Sequence, residues 1–560
     1  MADTRARPGA AGGPRAARTG PAGWVPWSTM AAAAAPAPSA GCDLRPDRTV
    51  PRSLAELAAL AGGRLRQADP TDTVSGITSS SQSVRPGDLF AALPGSTGHG
   101  ARFVADAVRS GARAVLTDPA GSRLIEADLP VIEVSDPRAV LGPVAGRVYG
   151  DPSRTVSVLG ITGTSGKTTT SFLVRAGLRA AGVESGLVGT VGVFIGPDVL
   201  KLPFTTPEAP QLQALLAVLA ERGIRTAVME VSSHALRLGR VSGIDFAVGA
   251  FTNLSQDHLD FHTDMADYFQ AKSLLFDGRS AREVVVVDDD WGPRLVRPDT
   301  VTVSADGRPA TWRAEQVSTG PDGSTSFLVV GPGVRFPAGC RIPGRYNVAN
   351  SLLALAILAE AGVQVPTVAG ALARAQVPGR MERVDAGQPF LAVVDYSHKP
   401  AGVAGALRGL RPLTAGRLII VLGCGGDRDR SKRPVMGQVA GSQADVLIVT
   451  DDNPRSEDPA AIRAAMLAGA RALPVDGRAE IIEQGDRRRA IEQAIALAEP
   501  GDTVLVAGKG HETGQQVGGV MLPFDDVTVL RESLSALGFS AHHEAAESLG
   551  ESATDGNVIG

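Results

Sequence analysis

The stretch Val156-Ser-Val-Leu-Gly160-Ile-Thr-Gly-Thr-Ser-Gly-Lys-Thr-Thr-Thr170 decides the fold. Its apolar run predicts a strand over 156–161, and the sequence after it predicts a helix over 169–181. Between them lies a glycine-rich turn. Glycines let the backbone wrap a phosphate, amides at the helix start bind anions, and Lys167 can reach the terminal phosphate oxygens. Thr168 is spaced to ligate Mg²⁺. The strict phosphate-loop pattern has its first glycine where this chain has Ile161, so the loop is a variant. A plain glycine turn would not need the lysine, the hydroxyls and the strand-to-helix setting together. Alone, the loop implies a nucleoside triphosphate and no particular reaction, because kinases, ATPases, GTPases and ligases all use it.

Outward from the loop, a helix over 210–222 and strands over 226–231 and 247–252 extend the pattern. Strands alternating with helices imply a parallel sheet. Residues 300–340 alternate apolar and polar with glycine turns, which implies a local antiparallel patch, and a long Ala/Leu helix covers 348–361. Near Gly379 a further unit begins, with strands over 390–394, 417–422, 446–450 and 503–507 alternating with helices. Functional residues are expected at the carboxyl ends of such strands. On the other side, residues 54–61 have helical spacing. Pro86-Gly-Asp88 is a turn into a strand over 89–93, and a helix over 103–110 precedes a strand over 114–117.

The expected class is therefore α/β with three domains: a small α/β domain over 49–152, a central phosphate-loop domain with a parallel sheet over 153–377, and a Rossmann-like domain over 378–540. The Ala/Pro/Gly/Arg-rich residues 1–48 and the polar residues 541–560 read as disordered tails. The first tail lacks the apolar core of a secretory signal; Met30 is an alternative start.

Composition narrows the partners. Fifty-five Lys plus Arg against 59 Asp plus Glu give a net charge of −4, which argues against a general nucleic-acid or anionic-membrane binder. No run approaches the roughly 18 apolar residues that span a bilayer. Cys42, Cys340 and Cys424 cannot build a disulfide framework, which fits a reducing, cytoplasmic setting. Lysine occurs six times (Lys167, Lys201, Lys272, Lys399, Lys432 and Lys509) in a chain that otherwise uses Arg. The two side chains differ chemically, so the positions that keep Lys are worth inspecting.

Eight further segments occur in order: Glu230-Val-Ser-Ser-His234, Thr252-Asn-Leu-Ser-Gln-Asp-His-Leu-Asp260, Tyr268-Phe-Gln-Ala-Lys272, Gly344-Arg-Tyr-Asn-Val-Ala-Asn350, Pro378-Gly-Arg-Met-Glu382, Asp395-Tyr-Ser-His398, Gly425-Gly-Asp-Arg428 and Asp452-Asn-Pro-Arg455. With Gly163-Thr-Ser-Gly-Lys-Thr-Thr169 this set resembles the Mur ligase family, the ATP-dependent amide-forming ligases of peptidoglycan synthesis, over about residues 50–535. Within that family it resembles the members that add a third residue to UDP-MurNAc-L-Ala-D-Glu. Asp452-Asn-Pro-Arg455 and Gly508-Lys-Gly-His-Glu512 are similar to the pocket for meso-diaminopimelate.

The resemblance implies a reaction. The ATP γ-phosphoryl group passes to the substrate carboxylate, the amine attacks the acyl phosphate, and phosphate leaves. It implies ATP contacts from Gly163, Thr164, Ser165, Gly166, Lys167, Thr168, Thr169, Asn253, Asn347, Arg380 and Asp395, and Mg²⁺ held by Thr168, Glu230, His258 and a carbamylated Lys272. Lys167, Glu230, His258 and Lys272 are the implied catalytic set. A strand-end carboxylate suits Mg²⁺, which prefers oxygen ligands; the bland reading of Glu230 is a helix cap, and of Lys272 an exposed cation. Arg could not be carbamylated, being always protonated.

By the same resemblance Ser79, Ser81, Ser96, Thr97, Gly98, Thr205, Thr206, Ser232 and Arg240 fall where the family holds the UDP-sugar peptide. Arg428, Asp452, Asn453, Pro454, Arg455, Gly508 and Glu512 fall where it holds diaminopimelate. That pocket also has an independent argument. Diaminopimelate is lysine with an added carboxylate, and a planar bidentate cation such as Arg455 recognises one. The sequence departs from the family at Ser80-Ser81-Gln82, where Asp-Ser-Arg is usual, and at Lys399. A monomer is expected. The competing readings are the same reaction with L-lysine, a folylpolyglutamate-synthetase-like ligase, and a regulatory phosphate-loop protein without ligation.

Overall fold

The computed structural model describes residues 45–539, apart from 70, 96–97, 197, 201–203, 260 and 321–322. They form two compact units. The first runs to Ser318 and adds Ser326–Cys340 and Tyr346–Ala375; the second contains Thr319–Thr325, Arg341–Arg345 and the chain from Gln376 on.

The first unit starts with a five-stranded sheet among the described residues, in the order Arg64–Arg66, Val131–Glu133, Ala114–Thr117, Asp88–Ala91 and Gly76–Thr78. Its strands are parallel except for the Arg64–Arg66 edge. The helix Leu54–Ala61 is capped by the Ser53 hydroxyl, which accepts from the amides of Ala55 and Glu56, and it ends at Gly62 with φ +61. The helix buries Leu54 and Leu57 against this sheet. Residues 45–48, expected in the first tail, are held in place, because Arg45 is ion-paired to buried Asp88 at 2.8 Å; the rest of that tail and residues 541–560 lie outside the described residues. The amides of Asp47 and Arg48 also donate to the Glu221 carboxylate. Glu221 closes the helix Ala209–Glu221 of the following sheet, and Ala209, Ala214 and Ala217 of that helix complete the core formed by Leu141, Val144 and Val148. The first sheet and the central sheet thus share a core.

The central sheet has eleven strands among the described residues. The strand Ser157–Thr162 lies between Thr226–Glu230 and Phe246–Phe251, both parallel to it, with Glu230 opposite Ile161 and Phe251 opposite Thr162. All three strands bury both faces, which is why they read as continuous apolar runs. The expected antiparallel patch over 300–340 begins differently: Val301–Ser304 pairs in parallel with Trp312–Thr319. Alternation of side chains reports a half-buried strand and is blind to the direction of its neighbour. The helix Tyr346–Glu360 then packs on the helix Lys167–Ala180.

The second unit holds a six-stranded sheet among the described residues, ordered Glu382–Arg383, Leu391–Asp395, Thr503–Ala507, Leu418–Leu422, Val446–Val449 and Glu480–Glu483. It is parallel except at the Glu382–Arg383 edge. Its floor contains a fully buried ion pair, Arg487 to Asp526 at 2.7 Å, with the guanidinium also donating to the Ala507 carbonyl. Arg487→Met leaves a buried carboxylate without its cation. It is expected to lower stability by about 3–5 kcal/mol, read from the denaturant midpoint.

Candidate active site

The phosphate loop leaves the strand Ser157–Thr162 and enters the helix Lys167–Ala180 through two glycines with positive φ, Gly163 at +146 and Gly166 at +86. Both must be glycine on space as well. A Cβ at 163 would lie 1.8 Å from the Thr252 hydroxyl, and one at 166 would lie 2.3 Å from Asn350 Oδ1. The segment after the strand Phe246–Phe251 clamps the loop. The Ser165 amide donates to Asn253 Oδ1 at 3.1 Å, Asn253 Nδ2 returns a bond to the Ser165 carbonyl, and the Thr252 hydroxyl donates to the same carbonyl at 2.7 Å. From the helix Tyr346–Glu360, Asn350 donates to Asn347 at 2.8 Å. Both asparagines are buried, with Asn350 against the loop.

At the carboxyl end of its strand Glu230 is fully buried. The Thr168 hydroxyl donates to it at 3.1 Å, and Thr190 donates both its amide and its hydroxyl at 2.9 Å. The sequence reading missed Thr190. It sits in a short loop between strands, where nothing in the spacing marks it. Thr205 touches the Thr190 hydroxyl at 3.2 Å, and the Thr206 hydroxyl donates to the Glu230 carbonyl at 2.9 Å. Buried oxygens from Thr168 and Glu230 in direct contact form a donor set that fits a hard divalent cation. Mg²⁺ is such a cation, commonly held by one or two carboxylates together with phosphate and water.

Lys272 is buried on the helix Met265–Ser273, and its ammonium donates to the Gly163 carbonyl at 2.8 Å. Lys167 donates to the same carbonyl at 2.8 Å. Two ammonium groups therefore converge on one loop oxygen. Tyr268 lies one turn before Lys272, which stands 4.5 Å over its ring, while the Tyr268 hydroxyl contacts Thr164 at 3.2 Å. Burial pushes the Tyr268 hydroxyl well above the usual phenol range, so it stays protonated. The i, i+4 spacing could have flagged it. His258 has φ +54 and lies beside Asp257 at 3.3 Å, with its ring 6.0 Å from that of Tyr268 and 4.9 Å from that of His234. Tyr268 thus links His258, Lys272 and the phosphate loop.

The sugar-peptide residues divide. Ser79 follows the strand Gly76–Thr78, and Ser81 opens a short 3-10 helix containing Gln82. The Gly98 carbonyl accepts from the Gly95 amide, whereas Ser96 and Thr97 lie outside the described residues. Ser232 caps the short helix Ser233–Arg237, with its hydroxyl accepting from the Ala235 amide. Arg240 donates to the Thr206 carbonyl at 3.2 Å, pairs with Glu208 at 2.9 Å and stands 4.4 Å over Phe204. Thr205, Thr206, Ser232 and Arg240 thus gather around the end of the Glu230 strand.

In the second unit the strand ends hold the remaining residues. Asp395 accepts from the amides of Met381 and Ser397 at 2.8 and 2.9 Å, and Arg380 stacks 4.4 Å over Tyr396. Burial, then Lys399, pushes His398 down to about 4, so its ring is neutral, and Nδ1 faces the Tyr396 carbonyl at 2.7 Å. Arg455 has φ +53 and donates to the Gly426 carbonyl at 2.6 Å. A Cβ at Gly425 would lie 2.8 Å from the Arg455 guanidinium and 3.9 Å from Arg428 Cγ, so both arginines border one turn. The Pro454 carbonyl closes on Gly426, which has no room for a Cβ. Asp452 faces Gly508, where a Cβ would sit 2.7 Å from its carboxylate. Asn453 Nδ2 donates to Glu512 at 2.8 Å. The hairpin Gly514–Val517 and Val520–Pro523, absent from the sequence expectations, holds this loop: the Arg455 amide donates to the Gln516 carbonyl at 3.0 Å, and the Gln516 amide to Asn453 Oδ1 at 2.9 Å.

Three family descriptions match parts of the chain. The Mur ligase family, catalytic domain, matches residues 73–149; the Mur ligase middle domain matches 161–358; and the Mur ligase, glutamate ligase domain, matches 379–510. The chain is 53% identical over 498 residues to a UDP-N-acetylmuramoyl-L-alanyl-D-glutamate–2,6-diaminopimelate ligase of Streptomyces coelicolor, covering 88% of this chain and 98% of that protein. It is 50% identical over 459 residues to the protein of the same name from Corynebacterium glutamicum, covering 80% and 89%. A solved structure of a ligase of that name superposes with a TM-score of 0.65 at 31% identity, covering 87% of this chain and all of the other. A two-unit α/β chain with its phosphate loop, buried Glu230 and converging lysines, matched along nearly its whole described length, belongs to the Mur ligase family.

Proposed function

We propose that this chain is an ATP-dependent ligase that joins meso-diaminopimelate to UDP-MurNAc-L-Ala-D-Glu. The observation that carries this reading is the match, over 98% of the relative's length, to a ligase of that name. In the proposed reaction the D-Glu carboxylate attacks the γ-phosphorus of ATP; an O–P bond forms and ADP leaves. The diaminopimelate amine then attacks the acyl carbon, and phosphate departs from the tetrahedral intermediate. Two anions must approach each other, so cations must offset their charge.

Lys167 and the amides of Gly163 to Thr169 are proposed to hold the ATP phosphates, with Asn253 fixing the loop and Asn347, Arg380 and Asp395 serving the rest of the nucleotide. Thr168, Glu230, His258 and a carbamylated Lys272 are proposed to hold Mg²⁺, which when bound would neutralise the phosphate oxygens. Ser79, Ser81, Gly98, Thr205, Thr206, Ser232 and Arg240 are proposed for the UDP-sugar peptide, and Arg428, Asp452 to Arg455, Gly508 and Glu512 for diaminopimelate. This assignment divides the chain at about residues 49–152, 153–377 and 378–540. Among the described residues no helix is long and apolar enough to cross a membrane; a cytoplasmic monomer is the accompanying proposal.

The test is phosphate release with UDP-MurNAc-L-Ala-D-Glu, ATP, Mg²⁺ and either meso-diaminopimelate or L-lysine. Release with diaminopimelate at a rate far above that with L-lysine is expected. Equal rates would overturn the amino-acid assignment, and no release with either would overturn the ligase.

A further inference from the structure

Lys509 is the one lysine of the second unit that is completely buried. Its ammonium donates to Glu512 at 3.0 Å and to Asn453 Oδ1 at 3.1 Å. Burying an ammonium is costly unless it is paired and hydrogen-bonded, so a fully buried lysine marks a place where the charge itself matters. Two consequences follow from its partners. Asn453 Oδ1 accepts from both Lys509 and the Gln516 amide, which fixes the orientation of the Asn453 amide and aims Nδ2 at Glu512. Glu512 Oε2 is then taken by Lys509 and Asn453, which turns Oε1 toward the Tyr396 hydroxyl at 3.5 Å. Burial, then Glu512, pushes that hydroxyl up to about 12, so it remains a donor.

The second consequence is charge. The loops at these strand ends carry Arg428, Arg455 and Lys509 against Asp452 and Glu512. Asp427 takes bonds from Ser456, which is neutral, and stays ionised beside Arg455, so it adds a third carboxylate. Glu457 is paired with Arg433 and Asp451 with Arg463. With Lys509 these charges balance, three against three; without it the group carries one net negative charge. An amino acid with two carboxylates, attacking through one neutral amine and keeping one ammonium, brings one net negative charge. L-lysine attacking in the same way brings none. Losing the Lys509 ammonium would therefore repel the ligand with the second carboxylate more than L-lysine.

We propose that Lys509 is a positioning and specificity-determining residue: its buried ammonium orients Glu512 and Asn453 and supplies the positive charge without which an amino acid carrying a second carboxylate is repelled. This rests on the proposed diaminopimelate site. The experiment is steady-state kinetics of the full chain and of Lys509→Met with meso-diaminopimelate and with L-lysine. KM values for ATP and the UDP-sugar peptide are measured alongside.

Lys509→Met is expected to raise the diaminopimelate KM about 30- to 100-fold, as loss of a buried charged hydrogen bond does. The ATP KM should stay within about twofold, and the ratio of kcat/KM for diaminopimelate over L-lysine should fall at least about tenfold. Lys509→Gln keeps an N–H donor without the charge and is read by the same ratio if the Met variant does not fold. It should recover part of the KM and none of the selectivity. A parallel loss with both amino acids, a matching rise in the ATP KM, or unchanged kinetics overturns the proposal. Wild-type protein with equal rates on both amino acids would instead overturn the underlying site assignment before any variant is made.

Discussion

Lys272→Ala is expected to lower kcat by about 10³-fold while changing the ATP KM far less, because the lost group acts where charge develops. Half-buried Lys167 and buried Lys272 converge on the Gly163 carbonyl. Two ammonium groups aimed at one oxygen repel each other in a setting poor in water. We propose that carbamylation removes that conflict. The neutral Lys272 amine attacks the carbon of CO₂, an N–C bond forms, and the amine proton goes to solvent. The product is an anion beside Lys167, and attraction replaces repulsion. Its oxygens would be hard ligands of the kind Mg²⁺ takes. Short carboxylic acids should partly rescue Lys272→Ala, since they can place a carboxylate in the emptied space. Lys272→Arg should be as inactive as the Ala variant, because a guanidinium does not take up CO₂. Activity near wild type in either variant would end the carbamate proposal.

Arg455→Ala should raise the KM for diaminopimelate by about 10²- to 10³-fold and leave the ATP KM nearly unchanged. The guanidinium has five donors in a planar fork, and the Gly426 carbonyl takes one of them at 2.6 Å. The backbone is already committed: φ at 455 is +53, with the amide bonded to Gln516 and the carbonyl to the Gly518 amide at 2.7 Å. The side chain is therefore presented by a rigid turn, so little ordering remains to be done when a carboxylate arrives. Turnover with L-lysine should fall much less than turnover with diaminopimelate. A rise in the ATP KM with no change for diaminopimelate would contradict the assignment.

Much of this architecture could be read before the structure. The strands Ala114–Thr117 and Thr503–Ala507 fall on the expected residues, and the strands beside the phosphate loop begin and end within one residue of expectation. Buried parallel strands are uninterrupted apolar runs, so their extent is written in composition. Glu230, Thr168 and Lys167 could be singled out because each occupies a strand end or a helix start with known chemical use, and Lys272, late in its helix, only through the resemblance of its segment to the family. Thr190 and the hairpin behind Arg455 could not. Their roles depend on what another segment places beside them, and a threonine or a Gly-Gly turn is common everywhere. The same holds for Arg45, whose place in an Arg-rich, low-complexity stretch concealed its pairing with Asp88. Direction was also hidden at Val301–Ser304, where side-chain alternation is the same for either sense of pairing.

The core shared between Val144 and Ala214 also governs the order of events during synthesis. The ribosome completes the first sheet at Val131–Glu133 and the helix Pro137–Val148 before it has made Ala209–Glu221. At about 5–20 residues per second, a nascent chain waits several seconds with the core around Leu141, Val144 and Val148 packed on the first sheet but without the part of its cover that Ala209, Ala214 and Ala217 supply. During that interval the first sheet keeps an open apolar edge, which closes only when the helix carrying Ala209 and Ala217 leaves the exit tunnel.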